Sequence, residues 1–124
     1  MAQNDIYNSK QQWGTIVNKI NSGTYLKPSA KVEYYIKNKD NLKYFKKLVK
    51  EFEFMDISFI RRIQFVKALR KVCFLTKKDI KDLSQDEVKE IITKLHSAHK
   101  TMVTRRSFVD YNKQIWKILF PEKD

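Results

Sequence analysis

His96 and His99 are the residues of this chain whose type and spacing come closest to metal chemistry, since side chains three apart on a helix share one face. No cysteine or carboxylate stands nearby to complete a ligand set, so they read as solvent-facing or capping residues at a helix end. Cys73 is the single cysteine. It falls inside an apolar helical repeat and has no disulfide partner, which makes it a small buried hydrophobe. The sequence carries no glycine-rich phosphate loop, no nucleophile elbow and no Cys-x-x-Cys pair. Its carboxylates fall at capping and surface positions. The expectation is a chain that needs no cofactor or metal, takes no small-molecule substrate and cleaves nothing by itself.

The cations are different. Among 124 residues, 26 Lys+Arg stand against 14 Asp+Glu, a formal charge of +12 that calls for an anionic partner. The charge is segregated. Positions 57–78 hold seven basic residues and no acid: Arg61, Arg62, Lys67, Arg70, Lys71, Lys77 and Lys78. Positions 91–117 hold six, Lys94, Lys100, Arg105, Arg106, Lys113 and Lys117, against Asp110 alone. Between them, positions 79–90 reverse sign with five acids and two lysines. At about 100° per residue, Gln64, Lys67 and Lys71 share one exposed helix face, with the small Ala68 among them. Thr104, Arg105 and Arg106 cluster at a helix start, where unpaired N–H groups already attract phosphate. Arg, Lys, Gln and Thr presented in this way suit phosphate and base-edge contacts alike. A lysine row can also be no more than a solvated face, so the Arg61/Arg62 and Arg105/Arg106 pairs are the better markers. Tyr34, Tyr35, Tyr44, Phe52 and Phe54 could form a base-stacking platform, but their helical spacing fits core packing better.

Helices must position these residues. Apolar residues make up 42% of the chain and aromatics 13%, enough for a real core, while two glycines and two prolines are too few for a β-sandwich or barrel. Ile6, Trp13, Ile16, Val17 and Ile20 predict a helix over residues 4–21, ended by Asn21-Ser22-Gly23. A linker through Pro28 and a short helix over 29–37, carrying Val32, Tyr35 and Ile36, follow. Asn38 or Asp40 can cap the next helix, with Leu42, Phe45, Leu48, Val49 and Phe52 inward. Ser58 caps a helix to Leu75 that turns Phe59, Ile63, Phe65, Val66, Leu69, Val72 and Cys73 inward. Ser84 and Glu87 form a capping box before Val88, Ile91, Ile92 and Leu95. A last helix runs from Thr104 to Phe120, closed by Pro121, with Phe108, Ile115, Trp116 and Leu119 inward. Residues 1–38 are thus read as an N-terminal helical arm and linker, and residues 39–124 as a four-helix unit. Met1–Asp5 lacks the pattern of a secretory signal, and the longest uncharged apolar run, Val72–Leu75, cannot span a bilayer. The cytoplasm is the expected location.

In order and spacing, three stretches resemble the core-binding domain of tyrosine recombinases, the phage-type and archaeal integrases. They are Asn38 to Phe45, the series Ser58, Arg61, Phe65, Leu69 and Val72, and Asp79 to Val88 leading on to Thr104-Arg105-Arg106 and Ile115 to Leu119. The resemblance covers about residues 38–120. It implies an all-α, SAM-like orthogonal four-helix bundle, with an additional N-terminal helical arm, that forms half of a clamp around duplex DNA. The bundle's second and fourth helices would meet the major groove, which gives Arg61, Arg62, Gln64, Lys67 and Lys71, then Lys100, Thr104, Arg105, Arg106 and Lys113, as the DNA-binding residues. Further recombinase subunits on the DNA are a second kind of partner the resemblance leaves open. The family's catalytic domain, which would follow Pro121, is missing from the sequence, and Tyr111 stands in the wrong setting to replace its nucleophile. Two other readings remain. A protein-interaction adaptor would use the basic faces only for solubility, and a peripheral membrane protein would need apolar stripes that the core already uses.

Overall fold

The computed structural model describes residues 8–30, 32, 34–96 and 102–121, except for the side chains of residues 96 and 102–105. The described residues form an all-α fold of five helices with no strand: α1 (Ser9–Ser22), α2 (Leu42–Phe54), α3 (Phe59–Leu75), α4 (Gln85–His96) and α5 (Met102–Leu119). Short 3-10 turns stand at Thr24–Leu26, Lys39–Asn41 and Ile80–Asp82. No helix among them is long and apolar enough to cross a membrane.

Local chemistry sets most boundaries. Ser58 Oγ accepts the Arg61 N–H at 3.3 Å and starts α3. Ser84 Oγ accepts the Glu87 N–H while Glu87 Oε1 accepts the Ser84 N–H, both at 3.1 Å, so the capping box before α4 is closed in both directions. Asn38 Oδ1 accepts the Asp40 N–H at 2.9 Å and opens the turn that leads into α2. Gly23 closes α1 at φ 74°, donating back to Ile20, a left-handed position where a Cβ would be strained. Helix α5 ends at Leu119, one residue before the Phe120 read from the sequence, and starts at Met102 rather than Thr104. The first helix is seen from Ser9; Ile6 and the rest of residues 1–7 lie outside the described residues.

Helix α3 is the axle of the fold, with α1, α4 and α5 all packed against it. Accordingly it buries residues on several sides: Ile63, Phe65, Val66, Leu69, Val72 and Cys73. Ala68, expected among the exposed Gln64, Lys67 and Lys71, is buried as well, on a helix packed against α1, α4 and α5. An aromatic chain ties the elements together. Trp13 of α1 meets Phe52 of α2 at 5.9 Å, Phe52 meets Phe65 of α3 at 5.4 Å, and Phe65 meets Tyr111 of α5 edge-on at 5.1 Å. Each fully buried phenylalanine contributes about 1.5–3 kcal/mol. Helix α1 therefore shares one continuous core with the four later helices.

The short helix expected over 29–37 does not form. Ser29 and Val32 make an isolated bridge, Val32 and Ile36 are buried, and the backbone bonds elsewhere: Ile36 N–H to Tyr25 at 2.7 Å and Lys37 N–H to Cys73 at 3.4 Å. Tertiary partners have replaced the i−4 ladder, and β-branched anchors at 32 and 36 suit an extended path. A polar junction locks the far side of the bundle. Asn41, fully buried, donates to Lys78 O at 3.0 Å and accepts from Ile80 N–H at 2.9 Å. Beside it Tyr44 OH donates to Asp79, which also accepts from Lys81 N–H and pairs with Lys43 at 3.2 Å. Burial raises the Asp79 carboxyl, but the Tyr44, Lys81 and Lys43 contacts outweigh it and hold the group below the usual carboxylate range. Burial, then Asp79, push the Tyr44 phenol well above its ordinary value.

Candidate nucleic-acid interface

The cations of α3 divide between two sides of the helix. Arg62 and Arg70 turn toward the α1 side. Arg62 Nε donates to Ile57 O at 3.0 Å, with its guanidinium 4.7 Å from the Phe59 ring and 5.9 Å from Trp13. Arg70 Nε donates to Tyr34 O at 3.1 Å and lies 4.0 Å from the Tyr25 ring. Burial pulls the Arg70 guanidinium below its ordinary value, with Tyr25 acting against that, and burial raises the Tyr25 phenol. Both arginines are half-buried and committed to carbonyls and rings.

The other side carries Arg61, Gln64, Lys67 and Lys71. Arg61 and Lys67 are exposed, and Gln64 and Lys71 are half-exposed. Arg61 Nη2 donates to Gln114 Oε1 of α5 at 3.2 Å and stacks 5.7 Å from Phe65. Lys71 lies 6.0 Å from Phe108 of α5 and 5.6 Å from Tyr34. These two contacts mark the ends of the seam between α3 and α5. At 1.5 Å per residue, Arg61 and Lys71 stand about 15 Å apart along α3, enough to cross a major groove about 12 Å wide. Among the described residues, Arg61 and Lys67 have no carboxylate within ion-pair distance.

On α5, Arg106, Ser107, Asp110 and Lys113 are exposed, and the half-exposed Gln114 reaches Arg61 of α3. Lys113 lines the groove between α5 and α4 together with Lys117. The side chains of Thr104 and Arg105, and Lys100 as a whole, lie outside the described residues. Helix α5 is held at its middle by the Phe65 contact to Tyr111 and at its end by Lys47 Nζ, which donates to Leu119 O at 3.0 Å. A cation on the last carbonyls also satisfies the negative helix end.

The rest of the expected chemistry has the following places. Cys73 is buried, and burial pushes its thiol far above the ordinary range. The His96 side chain and His99 lie outside the described residues. Among the described residues no three His, Cys, Asp or Glu side chains come close enough to hold a metal ion. Phe52 and Tyr44 are core residues, and Tyr34 and Tyr35 pack edge-on against Phe74 at 5.5 Å, so no stacking platform is formed by these four. Phe54 alone of that group is exposed.

Sequence reasoning missed one feature. An open groove of about 710 Å³ runs between α4 and α5, walled by Val88, Ile92, Val109 and Trp116 with Asn112 beneath them. Trp116 and Val88 read as core residues in the sequence, but both are half-exposed because α4 packs on α3 and stands off α5. Comparison of the chain with protein-family models, with curated proteins and with solved structures finds no match.

Proposed function

We propose that this chain binds duplex DNA through α3 and α5, as the core-binding domain of a tyrosine recombinase does, and that α2 to α5 are the SAM-like bundle of that domain. In this reading it is one half of a clamp working in the cytoplasm, and cleavage belongs to a catalytic domain. The observation that supports it best is the acid-free outer side of α3, Arg61, Gln64, Lys67 and Lys71, joined to α5 by the Arg61 to Gln114 bond. DNA phosphates would meet Arg61 and Lys67 first, with Gln64 and Lys71 nearer the base edges and Arg106 on the flanking strand.

The test is an anisotropy titration against a labelled duplex at several salt concentrations. Affinity is expected to fall with a log–log slope of about −0.9 per phosphate neutralised. Arg61→Glu combined with Arg106→Glu should flatten that slope by about 1.8, the share of two contacts. No binding by the unaltered chain at low salt, or an unchanged slope in the double variant, refutes the proposal. One observation favours the adaptor reading instead, the apolar groove between α4 and α5, which is a shape proteins use to hold partner segments. An adaptor has no DNA affinity for the double variant to lose.

A further inference from the structure

Two surface features outside the α3/α5 seam are complementary to each other. The first is the corner where α2 turns into α3. Helix α2 ends as Met55 N–H bonds Glu51 O at 3.1 Å and Met55 turns extended. That break leaves Phe54 at the helix tip, 87% exposed, while Phe52 enters the core. Met55 and Ile60 are exposed next to it. The same six residues, 51–56, include Glu51, Glu53 and Asp56, and the last cation before them, Lys50, lies a turn behind Phe54. An apolar tip ringed by carboxylates is a poor neighbour for phosphate and a good one for a basic, apolar socket.

The second feature is such a socket. The groove between α4 and α5 has apolar walls from Val88, Ile92, Val109 and Trp116, and Lys89, Lys113 and Lys117 on its lining. Among the described residues, none of these three lysines has a carboxylate within ion-pair distance. Asn112 lies at its base, only 3% exposed. Its Nδ2 donates to Phe108 O at 2.9 Å, but its Oδ1 is buried with no partner among the described residues. An unmatched buried acceptor costs about 1–3 kcal/mol, so the groove is short of a donor as well as of apolar cover.

We propose that the Phe54 corner of one molecule seats in the α4/α5 groove of a second copy, with Glu53 and Asp56 facing Lys89, Lys113 and Lys117. The contact joins two different patches, so it is heterologous: each pair keeps one corner and one groove open, and copies add head to tail. The contact is independent of the DNA reading, although Lys113 stands where both surfaces meet.

The experiment is sedimentation of the full chain without DNA, over a concentration series at low salt. The unaltered protein is expected to gain mass with concentration and to lose it as salt is raised. Phe54→Ser, a change at an exposed position that leaves the core intact, should weaken assembly at least about tenfold, and Lys113→Glu with Lys117→Glu should do the same. Mixed one to one, those two proteins should form a dimer and nothing larger, since only one intact corner and one intact groove remain between them. A chain that stays monomeric throughout, a Phe54→Ser protein that assembles like the original, or a mixture that fails to pair would each overturn the proposal.

Discussion

Arg62 and Arg70 on one side of α3, and Arg61 and Lys67 on the other, are the same chemistry put to opposite uses. The first pair is half-buried, each guanidinium bonded to a backbone carbonyl and laid over a ring. The second pair stands exposed, and the Arg61 guanidinium bonds Gln114, a neutral amide that phosphate can displace. A count of charges along α3 therefore overstates what a polyanion can use. Position around the helix decides whether a cation holds the fold together or faces outward.

That division can be broken from either side. The largest expected effect is on stability: Arg70→Met keeps the apolar stem but leaves Tyr34 O and the Tyr25 ring without their cation, for a loss of about 2 kcal/mol in a denaturant melt. DNA affinity per folded molecule should not change. Arg62→Met follows at about 1 kcal/mol, since its ring contacts are longer. Lys67→Met on the opposite side should move stability by no more than about 0.5 kcal/mol while flattening the salt dependence of DNA binding by about 0.9. If Arg70→Met weakened DNA binding and Lys67→Met did not, the two sides would have been assigned the wrong way round.

The junction at Asp79 gives the contrast a pH signature. Because the folded Asp79 carboxyl is held below its ordinary value, its contribution is present above the unfolded value of about 3.9 and is lost as pH falls through the folded one. Tyr44 behaves oppositely. Its folded phenol stays protonated where an unfolded tyrosine ionises, near pH 10, so stability falls as pH rises beyond that point. Asp79→Asn should flatten the acid limb of a stability profile and Tyr44→Phe the alkaline limb. The one stabilising change is on α1, where Gly14 is exposed with open space around an added Cβ. Because α1 shares the core, Gly14→Ala should stabilise the whole chain by about 0.5–1 kcal/mol, read in the same denaturant melt.

What could be read from the sequence was local. Ser58, Ser84 with Glu87, Asn38 and Gly23 act on backbone groups within three residues of themselves, so residue type and spacing are enough to place the starts of α3 and α4, the turn into α2 and the end of α1. Arg70 could not be sorted from Lys67 in this way, since its acceptor, Tyr34 O, lies 36 positions away. Residues 29–37 depart from the expected helix for a related reason: Val32 and Ile36 suit one helical face, but Tyr25 and Cys73 claim the backbone from outside the segment. Trp116 shows the third limit. An apolar stripe records that cover is needed and says nothing about whether the same chain supplies it, and here α4 leaves half of it open.

The most direct test of the DNA reading is a titration of the ¹⁵N-labelled chain with duplex DNA at low salt, followed amide by amide. Shifts should concentrate between Arg61 and Lys71 on α3 and between Arg106 and Gln114 on α5, and should fade as salt is added. Shifts confined to the Phe54 corner or to α4, or no shifts at all, would contradict a DNA-binding seam between α3 and α5.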